Sequence, residues 1–444
     1  PPPPPPTPTP ADCRRQRQMC IRDSLNQRER KQQGIVSIMK RRDFIRQAVA
    51  ASMGAALATR GHAMPVDAGS APRRHGDTVT LFLAGDVMTG RAIDQVLPHA
   101  GNPRIFEPYS SSALDYIRLA ERTSGTIPHP VDFDYIWGDA LTVLSETAPT
   151  ARIINLETAV TRRGTPWPHK GIHYRMHPGN IPCLTAAAID CCVLANNHVL
   201  DWGYQGFAET LSSLSGAGLT IAGAGQDLEA ALTPAALPLP GTGRVLVLAC
   251  GLQNSGIPPA WAATATRPGV NLLPDLSQST VNHVAATIAT RRKPGDLVVV
   301  SLHWGGNWGY EIPPDHREFA HALIDEAAVD VVHGHSSHHP IGIEVYRGKP
   351  VLYGCGDLID DYEGISGHAR YRHDLALLYL LTLDRDTGDL RQLEMVPMQR
   401  NKFRLVHTSG GDRNWLLQVL DRECRRLQAG VTGSGNDTLL LHWQ

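Results

Sequence analysis

From Asp77 onward, short apolar runs alternate with longer amphipathic stretches, and this alternation predicts a mainly parallel β-sheet built from βαβ units. The apolar runs have the length of strands and are bounded by turn-forming residues. We predict strands over residues 79–84, 152–154, 191–194, 220–222, 245–249, 297–302, 329–332 and 350–353. Apolar residues at helical spacing predict helices over residues 111–122, 136–147, 206–217, 276–291 and 316–326.

The C-terminal part shows a different pattern. Residues 374–384 and 390–397 are strand-like and flank a turn-forming segment, which predicts a hairpin. A helix is predicted over 412–427, followed by a polar end over 429–444 with a short apolar tail at 439–443. No solenoid or propeller repeat is visible in the sequence. We therefore expect one domain over 77–400 and a C-terminal helix and tail over 401–444.

The N-terminal part is not expected to belong to the fold. Residues 1–38 open with a proline run, continue as a polar stretch and are interpreted as a non-native or disordered leader. Residues 39–63 carry Arg41-Arg42, a short alanine-rich run and a small-residue cleavage site, which is typical of a twin-arginine signal peptide. Residues 64–76 form a linker. We expect export to the periplasm or another extracytoplasmic compartment, with no transmembrane span in the mature chain.

Composition narrows the class of protein. Of 444 residues, 42% are hydrophobic and 19% charged, and 42 Lys plus Arg balance 43 Asp plus Glu. This balance gives no general field that would attract nucleic acid. Beyond Cys13 and Cys20, most of the remaining cysteines lie in apolar runs, which indicates small buried side chains, and their disulfide pairing stays open. These cysteines are Cys183, Cys191, Cys192, Cys250, Cys355 and Cys424.

Polar side chains with metal-binding chemistry follow five of the apolar runs. The stretch from Leu194 to Gly203 brings amides, an imidazole and a carboxylate to the end of one predicted strand. The equivalent residues after the other four runs are Asp86, Glu157, His303 and the pair His335 and His338. Open α/β sheets build their sites at the carboxyl ends of strands, so the pattern predicts a metal site.

Seven ordered blocks carry a resemblance to a known family. They include Gly85-Asp86-Val87-Met88, Asn155-Leu156-Glu157 and Asn196-Asn197-His198, and the later ones are Ala222-Gly223-Ala224-Gly225, Leu302-His303-Trp304-Gly305, Gly334-His335-Ser336-Ser337-His338 and Tyr353-Gly354-Cys355-Gly356-Asp357. Together they resemble the capsule-synthesis protein family CapA of the poly-γ-glutamate type, a branch of the calcineurin-like metallophosphoesterases. The resemblance covers residues 79–361. It implies an α/β sandwich of two mixed β-sheets flanked by helices, with the site at the sheet edge.

The resemblance also implies roles for individual residues. Asp86 would bind one ion with His338, and Glu157 would bridge two ions. Asn197, His303 and His335 would complete the second site. His198 would be the proton donor to the leaving group. Such mixed ligands suit one or two divalent ions, with zinc, manganese or iron expected.

The chain departs from the phosphoesterase pattern at two positions and from the CapA family pattern at further ones. Met88 stands where a histidine ligand is usual, and Glu157 stands where the bridging aspartate is usual; both changes are shared by the CapA family. The usual Gly-Asn-Phe of the family is replaced by Gly356-Asp357-Leu358, so Asp357 could alter a substrate or metal contact. Because Met88 replaces a histidine, the first metal site has few expected ligands.

The sequence allows more than one role for several of these residues. Arg91 could bind an anionic substrate group, or it could pair with Asp86 or Glu157. Asp201 could orient His198 or cap the following helix. Trp304 could form a substrate wall with Trp308, or it could belong to the core.

Two functions follow from this pattern, and a third shares the site. The first is an exported metal-dependent hydrolase of a phosphoester or another anionic, polymer-related substrate. The second is a non-catalytic component of capsule or poly-γ-glutamate assembly, which would hold an anionic polymer beside the synthesis machinery. Cleavage or transfer of γ-glutamyl amide bonds would need the same metal site.

Overall fold

The computed structural model describes residues 78–444, which belong to one compact unit, Pro72–Gln444. The expected leader, signal peptide and linker lie outside the described residues. In chain order the strands are β1 Thr78–Val87, β2 Arg104–Glu107, β3 Ser110–Ser112, β4 Ala151–Leu156, β5 Ala159–Val160, β6 Arg175–Met176, β7 Cys191–Val193, β8 Thr220–Ala222, β9 Ala224–Gly225, β10 Ala235–Pro238, β11 Arg244–Leu252, β12 Gly269–Val270, β13 Leu272–Leu273, β14 Leu297–His303, β15 Val331–His335, β16 Ile343–Tyr346, β17 Lys349–Leu352, β18 Asp357–Ile359, β19 Leu375–Asp384, β20 Leu390–Asn401, β21 Arg404–His407, β22 Ala429–Gly433 and β23 Leu439–Trp443.

The helices of the described residues connect these strands. They are α1 Ala92–Val96, α2 Leu114–Ser124, α3 Ala140–Thr147, α4 Pro182–Ala186, α5 Gly203–Gly216, α6 Leu228–Leu232, α7 Gln278–Ala289, α8 Pro314–Ala327 and α9 Gly410–Arg425. Local sequence explains two of the starts. Pro314 occupies the first position of α8, where its missing N–H costs nothing. The Ser409 hydroxyl caps α9 by accepting the backbone N–H of Asp412 at 3.2 Å.

The larger sheet has the strand order β22-β23-β20-β19-β1-β4-β7-β8, with β18 beside β1 and β21 beside β20. Strands β1, β4, β7 and β8 are parallel, while β19 and β20 are antiparallel additions on the other side of β1. The carboxyl ends of the four parallel strands therefore meet at one edge of this sheet. That edge carries the first half of the candidate site.

The smaller sheet has the order β10-β11-β14-β15-β17-β16, with β13 beside β11. Alternate residues of its parallel strands face opposite sides, as the pleat requires. Val247 and Val299 join the core cluster that contains the strands of the larger sheet. Val298 and Val300 join a second cluster with residues of α7 and α8. The two sheets thus share one core, and helices cover the outer face of the smaller sheet.

The predicted strands and helices agree with the structure in position, but their ends differ. Strand β1 continues to Val87 and β15 continues to His335, so Asp86 and His335 lie within strands rather than after them. Backbone pairing with neighbouring strands extends both runs past their apolar residues.

The polar end predicted over 429–444 is wrong. Strands β22 and β23 form an antiparallel hairpin that adds to the edge of the larger sheet through β20. Leu439 and Leu441 are buried on the inner face, as is Val431 of the partner strand. The apolar alternation was short and lay between polar residues, so burial against the sheet decides this element.

The six cysteines of the described residues are all buried and free, as expected for small core side chains. Among the same residues, every helix is too short or too polar to cross a lipid bilayer.

Candidate metal centre

Three neighbouring strands place polar side chains in one row. Asp86 of β1 is in register with Asp357 of β18 on one side and with Asn155 of β4 on the other. Residues in register on adjacent strands project from the same face, so the three side chains are neighbours. The pairing of β1 is irregular next to Asp86 against both partners, and such irregularities at strand ends redirect side chains. All three residues are buried.

Two histidines of the smaller sheet form a second row. His303 of β14 is in register with His335 of β15, and their Nδ1 atoms are 2.8 Å apart. The two rows face each other across the sheet edge. The Asn155 Nδ2 atom lies 3.4 Å from His303 Nδ1, and Asp86 Oδ1 lies 3.9 Å from His335 Nδ1.

Asp86 belongs to two groups of potential ligands. In the first group, ligand atoms of Asp86, His303 and His335 all lie within 4.8 Å of one another. The second group, which meets the same criterion, contains Asp86, His338 and Asp357. Within it, His338 Nδ1 lies 2.9 Å from each carboxylate oxygen of Asp357. One carboxylate between two histidine-containing groups is an arrangement suited to two neighbouring ions.

Glu157 follows β4 and carries a buried oxygen, Oε2, that has no hydrogen-bond partner. Its other oxygen lies 3.7 Å from His198 Nε2 and 4.0 Å from His303 Nε2. Burial and the neighbouring Asp86 raise the pKa of Glu157 well above its usual value. Burial and the charge of Asp357 raise the pKa of Asp86 to about 7. Buried carboxylates this close repel one another, and a cation between them would relieve that repulsion.

The imidazoles complete a donor set that fits a divalent ion. Burial, reinforced by neighbouring histidines, lowers the pKa of both His303 and His335 well below the usual value. Neutral imidazole is the form that binds metals. Asn197 adds an amide oxygen 3.1 Å from His303 Nε2. The unpartnered oxygen of Glu157 together with these neutral nitrogens therefore fits the cation that the sequence predicts.

His198 lies beside this cluster on the loop after β7. Asn196 holds the loop, because its side-chain oxygen accepts the backbone N–H groups of His198 and Val199 at 3.1 Å each. The Nδ1 atom of His198 lies 2.6 Å from Asp201 Oδ2 and 2.9 Å from Lys170 Nζ. Burial lowers the pKa of His198 to about 4, although Asp201 opposes this change. Because Nδ1 faces Asp201, the His198 ring turns its Nε2 atom toward Glu157.

A cavity of about 310 Å³ opens onto these groups. Glu157, Lys170, Asn197, His198 and His338 contribute to its lining. A second cavity of about 170 Å³ also contacts His338, and aromatic side chains including Trp308 and Tyr362 line it. The candidate ligands are thus accessible from a cleft with one polar and one aromatic part.

Arg91 forms different ion pairs from those expected. Its guanidinium donates to Asp361 and to Glu107, at 2.8 Å from Nε and Nη1 respectively, instead of pairing with Asp86 or Glu157. Arg91 precedes α1 and is buried, so its charge needs nearby carboxylates, and these two provide them. It still lines the aromatic cavity, and anion binding by Arg91 stays a prediction.

Trp304 lies in the core rather than on a substrate wall. Its ring is 3% exposed, stacks on His316, and donates its N–H to the carbonyl of Tyr353 at 3.0 Å. Trp308 lies against the cleft instead. Asp201 bonds to His198 and to the backbone N–H of Tyr174 at 2.7 Å, and the N-terminus of α5 has no side-chain cap. Of the two alternatives for Asp201, the geometry corresponds to the orientation of His198.

Sequence reasoning missed three residues of this region. Asn155 donates to Asp86 at 2.7 Å, but its strand was predicted to end at Ile154. Lys170 lies in an irregular loop where no pattern marks it. His333 lies inside β15 and connects the two sheets, because its Nε2 atom bonds to the Ala84 carbonyl at 2.9 Å. The spacing of His333 two residues before His335 was the available signal that both side chains share one face.

Fold and side chains together define an α/β protein with a carboxylate–histidine cluster at the edge shared by two sheets. The chain belongs to the bacterial capsule synthesis protein PGA_cap family, whose sequence profile matches residues 80–362.

Named relatives agree with this assignment. A probable polyglutamine synthesis accessory protein of Mycobacterium tuberculosis is 50% identical over 351 residues, which is 79% of this chain and 92% of the relative. The PGA biosynthesis protein CapA of Bacillus subtilis is 26% identical over 78% of this chain and 81% of its own length. The capsule biosynthesis protein CapA of Bacillus anthracis is 24% identical over 79% and 74% respectively.

Proposed function

We propose that this protein is an exported, metal-dependent hydrolase that serves capsule or poly-γ-glutamate synthesis. Its substrate would be a phosphoester or another anionic molecule related to the polymer. The names of its relatives support the biosynthetic role. Two mixed sheets with a shared core, and a ligand cluster at their common edge, support a calcineurin-like sandwich as the fold.

The observation that carries the proposal is the pair of facing rows around Glu157. Asp86, Glu157, Asn197, His303, His335 and His338 are the residues that would hold one or two divalent ions. Such ions act as Lewis acids toward a phosphate oxygen and lower the pKa of water. Zinc, manganese and iron all suit the mixture of oxygen and nitrogen donors.

The protein's own residues would handle the proton. Asp201 orients the His198 ring through Nδ1, which leaves Nε2 facing the cleft. His198 would give a proton to the leaving group from Nε2. An anionic substrate beside this atom would raise the pKa of the imidazole, because a negative neighbour favours the charged ring. Lys170, which lines the same cavity, would attract the anion.

A hydrolysis assay tests the proposal. The purified protein should cleave bis(p-nitrophenyl) phosphate when Mn²⁺ or Zn²⁺ is supplied, and His198→Ala should lower kcat about 100-fold or more. The matched control is His407→Ala, which changes an exposed histidine far along the chain and should leave kcat unchanged. If the His198 variant is as active as the wild type, His198 is not the proton donor. If the wild type hydrolyses neither phosphoesters nor polymer fragments, the hydrolase proposal is wrong.

A second candidate function is a non-catalytic component that holds an anionic polymer during assembly. Met88 favours this alternative, because it replaces a histidine ligand and its sulfur lies 3.7 Å from the Tyr362 hydroxyl. A purified protein that binds poly-γ-glutamate without any metal would support this role against the hydrolase.

The compartment belongs to the same proposal. We propose an extracytoplasmic location, which the twin-arginine pattern of residues 39–63 supports and at which an accessory protein of capsule synthesis would act. Replacement of Arg41 and Arg42 by lysines should retain the protein in the cytoplasm of its host, as cell fractionation would measure.

A further inference from the structure

We propose that Asp357 is a metal ligand that makes up for Met88, so that one of the two cation sites is rich in carboxylate oxygens and the other is rich in histidine. The inference rests on the metal site of the proposed function. The carboxylate-rich group is Asp86, Asp357 and His338, and the histidine-rich group is Asp86, His303 and His335.

Met88 is engaged elsewhere in the fold. Its backbone N–H donates to the Ile359 carbonyl at 2.8 Å, and its sulfur lies near the Tyr362 hydroxyl. A thioether is a soft donor, which hard and borderline ions disfavour. Met88 therefore contributes no ligand to the carboxylate-rich group.

Asp357 reaches the same site from a different strand. It stands in register with Asp86 on β18, and both carboxylate oxygens lie 2.9 Å from His338 Nδ1. Its backbone carbonyl accepts a hydrogen bond from Arg400, which fixes the residue from behind. Only 1% of Asp357 is exposed. A buried carboxylate next to a second carboxylate and an imidazole has the chemistry of a cation ligand.

Glu157 gives an independent indication that a cation belongs here. Its Oε2 atom is buried without a partner, and the residue is 2% exposed. Burying an unpaired carboxylate oxygen is costly unless a ligand satisfies it. The oxygen lies on the residue that follows Asn155 and Leu156, next to the row that contains Asp86 and Asp357.

The two groups should differ in the ions they prefer. Two carboxylates and one imidazole form an oxygen-rich set, which suits Mn²⁺. Two imidazoles, one carboxylate and the nearby Asn197 amide form a set that suits Zn²⁺ or Fe²⁺. The chain would therefore hold two chemically distinct ions.

Titration of the metal-free full-length protein with Mn²⁺, followed by electron paramagnetic resonance of the free ion, tests this inference. The wild-type protein should bind two equivalents. Asp357→Asn, which keeps the side-chain shape, should weaken one of them at least tenfold. Asp360→Asn is the matched control, because it makes the same substitution at a buried neighbour whose carboxylate pairs with Arg400 at 3.1 Å. This control should still bind two equivalents.

Further variants, displacement by Zn²⁺ and a folding control complete the test. His338→Gln should lose the same equivalent, and the double variant with Asp357→Asn should lose no more than either single variant. One equivalent of Zn²⁺ should displace only the Mn²⁺ that Asp357→Asn leaves bound. Circular dichroism confirms that each variant is folded.

The outcomes separate this inference from the proposed function. Unchanged Mn²⁺ binding by Asp357→Asn, or an equal loss in Asp360→Asn, overturns the ligand role of Asp357 while the hydrolase proposal survives. Release of both Mn²⁺ ions by one equivalent of Zn²⁺ overturns the difference between the sites. A wild-type protein that binds neither ion overturns this inference and the proposed function together.

Discussion

Asn155 connects the two rows of the candidate site. Its Nδ2 atom donates to Asp86 and lies 3.4 Å from His303, while its oxygen accepts a hydrogen bond from Asn196 at 3.0 Å. A buried amide that contacts a carboxylate, an imidazole and a second amide fixes the positions of all three. Residues that orient metal ligands in this way commonly change metal affinity as strongly as a weak ligand does.

Replacement of Asn155 by alanine should therefore weaken metal binding about 10- to 100-fold, because Asp86 loses the donor that orients it. Competition with a chromophoric chelator measures this affinity. The control is Asn271→Ala, which removes a buried amide whose hydrogen bonds go to Ala249 and Cys250. Both variants should lose stability, but only the first should lose affinity, and equal affinities would contradict the positioning role.

Residue chemistry made part of the site predictable. Asp86, His303 and His335 were found because each follows an apolar run that forms a strand in a shared sheet edge. The contact of Asp357 with His338 was not predictable, since it depends on β18 pairing with β1, which is distant in the sequence. Lys170 was missed for a similar reason, because its loop has no periodicity and only the folded chain brings it to His198.

Strand β18 approaches β1 closely because of a glycine. A Cβ atom on Gly85 would lie 1.9 Å from the Gly356 carbonyl oxygen, so no larger residue fits between these segments. The Asp86 N–H donates to that same carbonyl at 3.1 Å. This close approach sets the register that places Asp86 beside Asp357.

Gly85→Ala should lower the free energy of unfolding by more than about 3 kcal/mol, because the added methyl meets backbone that cannot move aside. Urea denaturation measures the loss. Gly216→Ala is the control, since a Cβ there meets no atom within 4 Å, and its stability should be equal or slightly higher. A stable Gly85 variant with normal metal binding would contradict the close approach.

Arg372 joins the start of β19 to the N-terminus of α9. It donates to Asp374 at 2.7 Å and to Asp412 at 2.7 Å. Although burial acts in the opposite direction, the hydrogen bonds from Arg372 and Gln399 lower the pKa of Asp374 to about 2. A carboxyl with a lowered pKa in the folded state stabilises the fold at neutral pH.

Because the pKa of Asp374 is lowered in the folded state, the stability of the fold depends on pH. The contribution of Asp374 is fully present above about pH 4, its ordinary range, and is lost as the pH falls toward 2. Its side chain is 36% exposed, so solvent screening reduces the effect to roughly 1 kcal/mol. Asp374→Asn should be less stable than the wild type at pH 7 by this amount, and the difference should shrink below pH 4. Thermal unfolding at several pH values measures it, and a constant difference would contradict the assignment.

In the part of the chain that the structure describes, the thiols are buried, and so are the candidate metal ligands. The six described cysteines lie in the core, and burial raises the pKa of Cys183 and Cys191 above the usual value. Protonated, inaccessible thiols do not react. These cysteines therefore contribute packing.

Alkylation with iodoacetamide followed by peptide mass spectrometry checks this arrangement. The six buried cysteines should stay unmodified in the native protein and become fully modified in guanidinium chloride. Rapid labelling of Cys191 or Cys192 in the native state would contradict a rigid core around β7.

For the molecule as a whole, the alternation of apolar runs predicted an α/β architecture, and the sheets confirm it. The division into two sheets was given by the family resemblance, because local periodicity does not say which strands pair. The C-terminal hairpin was missed because its inward residues, such as Leu439 and Leu441, are buried only when the hairpin pairs with the edge strand β20.

The metal content of the purified protein tests the central claim most directly, because the whole account depends on one cation cluster between the two sheets. Elemental analysis by mass spectrometry should find at least one equivalent of zinc, manganese or iron in the wild-type protein. The double variant His303→Ala/His335→Ala removes the ligands of the histidine-rich group, so it should contain less metal than the wild type and remain folded. A metal-free wild-type protein that also fails to bind added ions, or a double variant with unchanged metal content, would contradict the account.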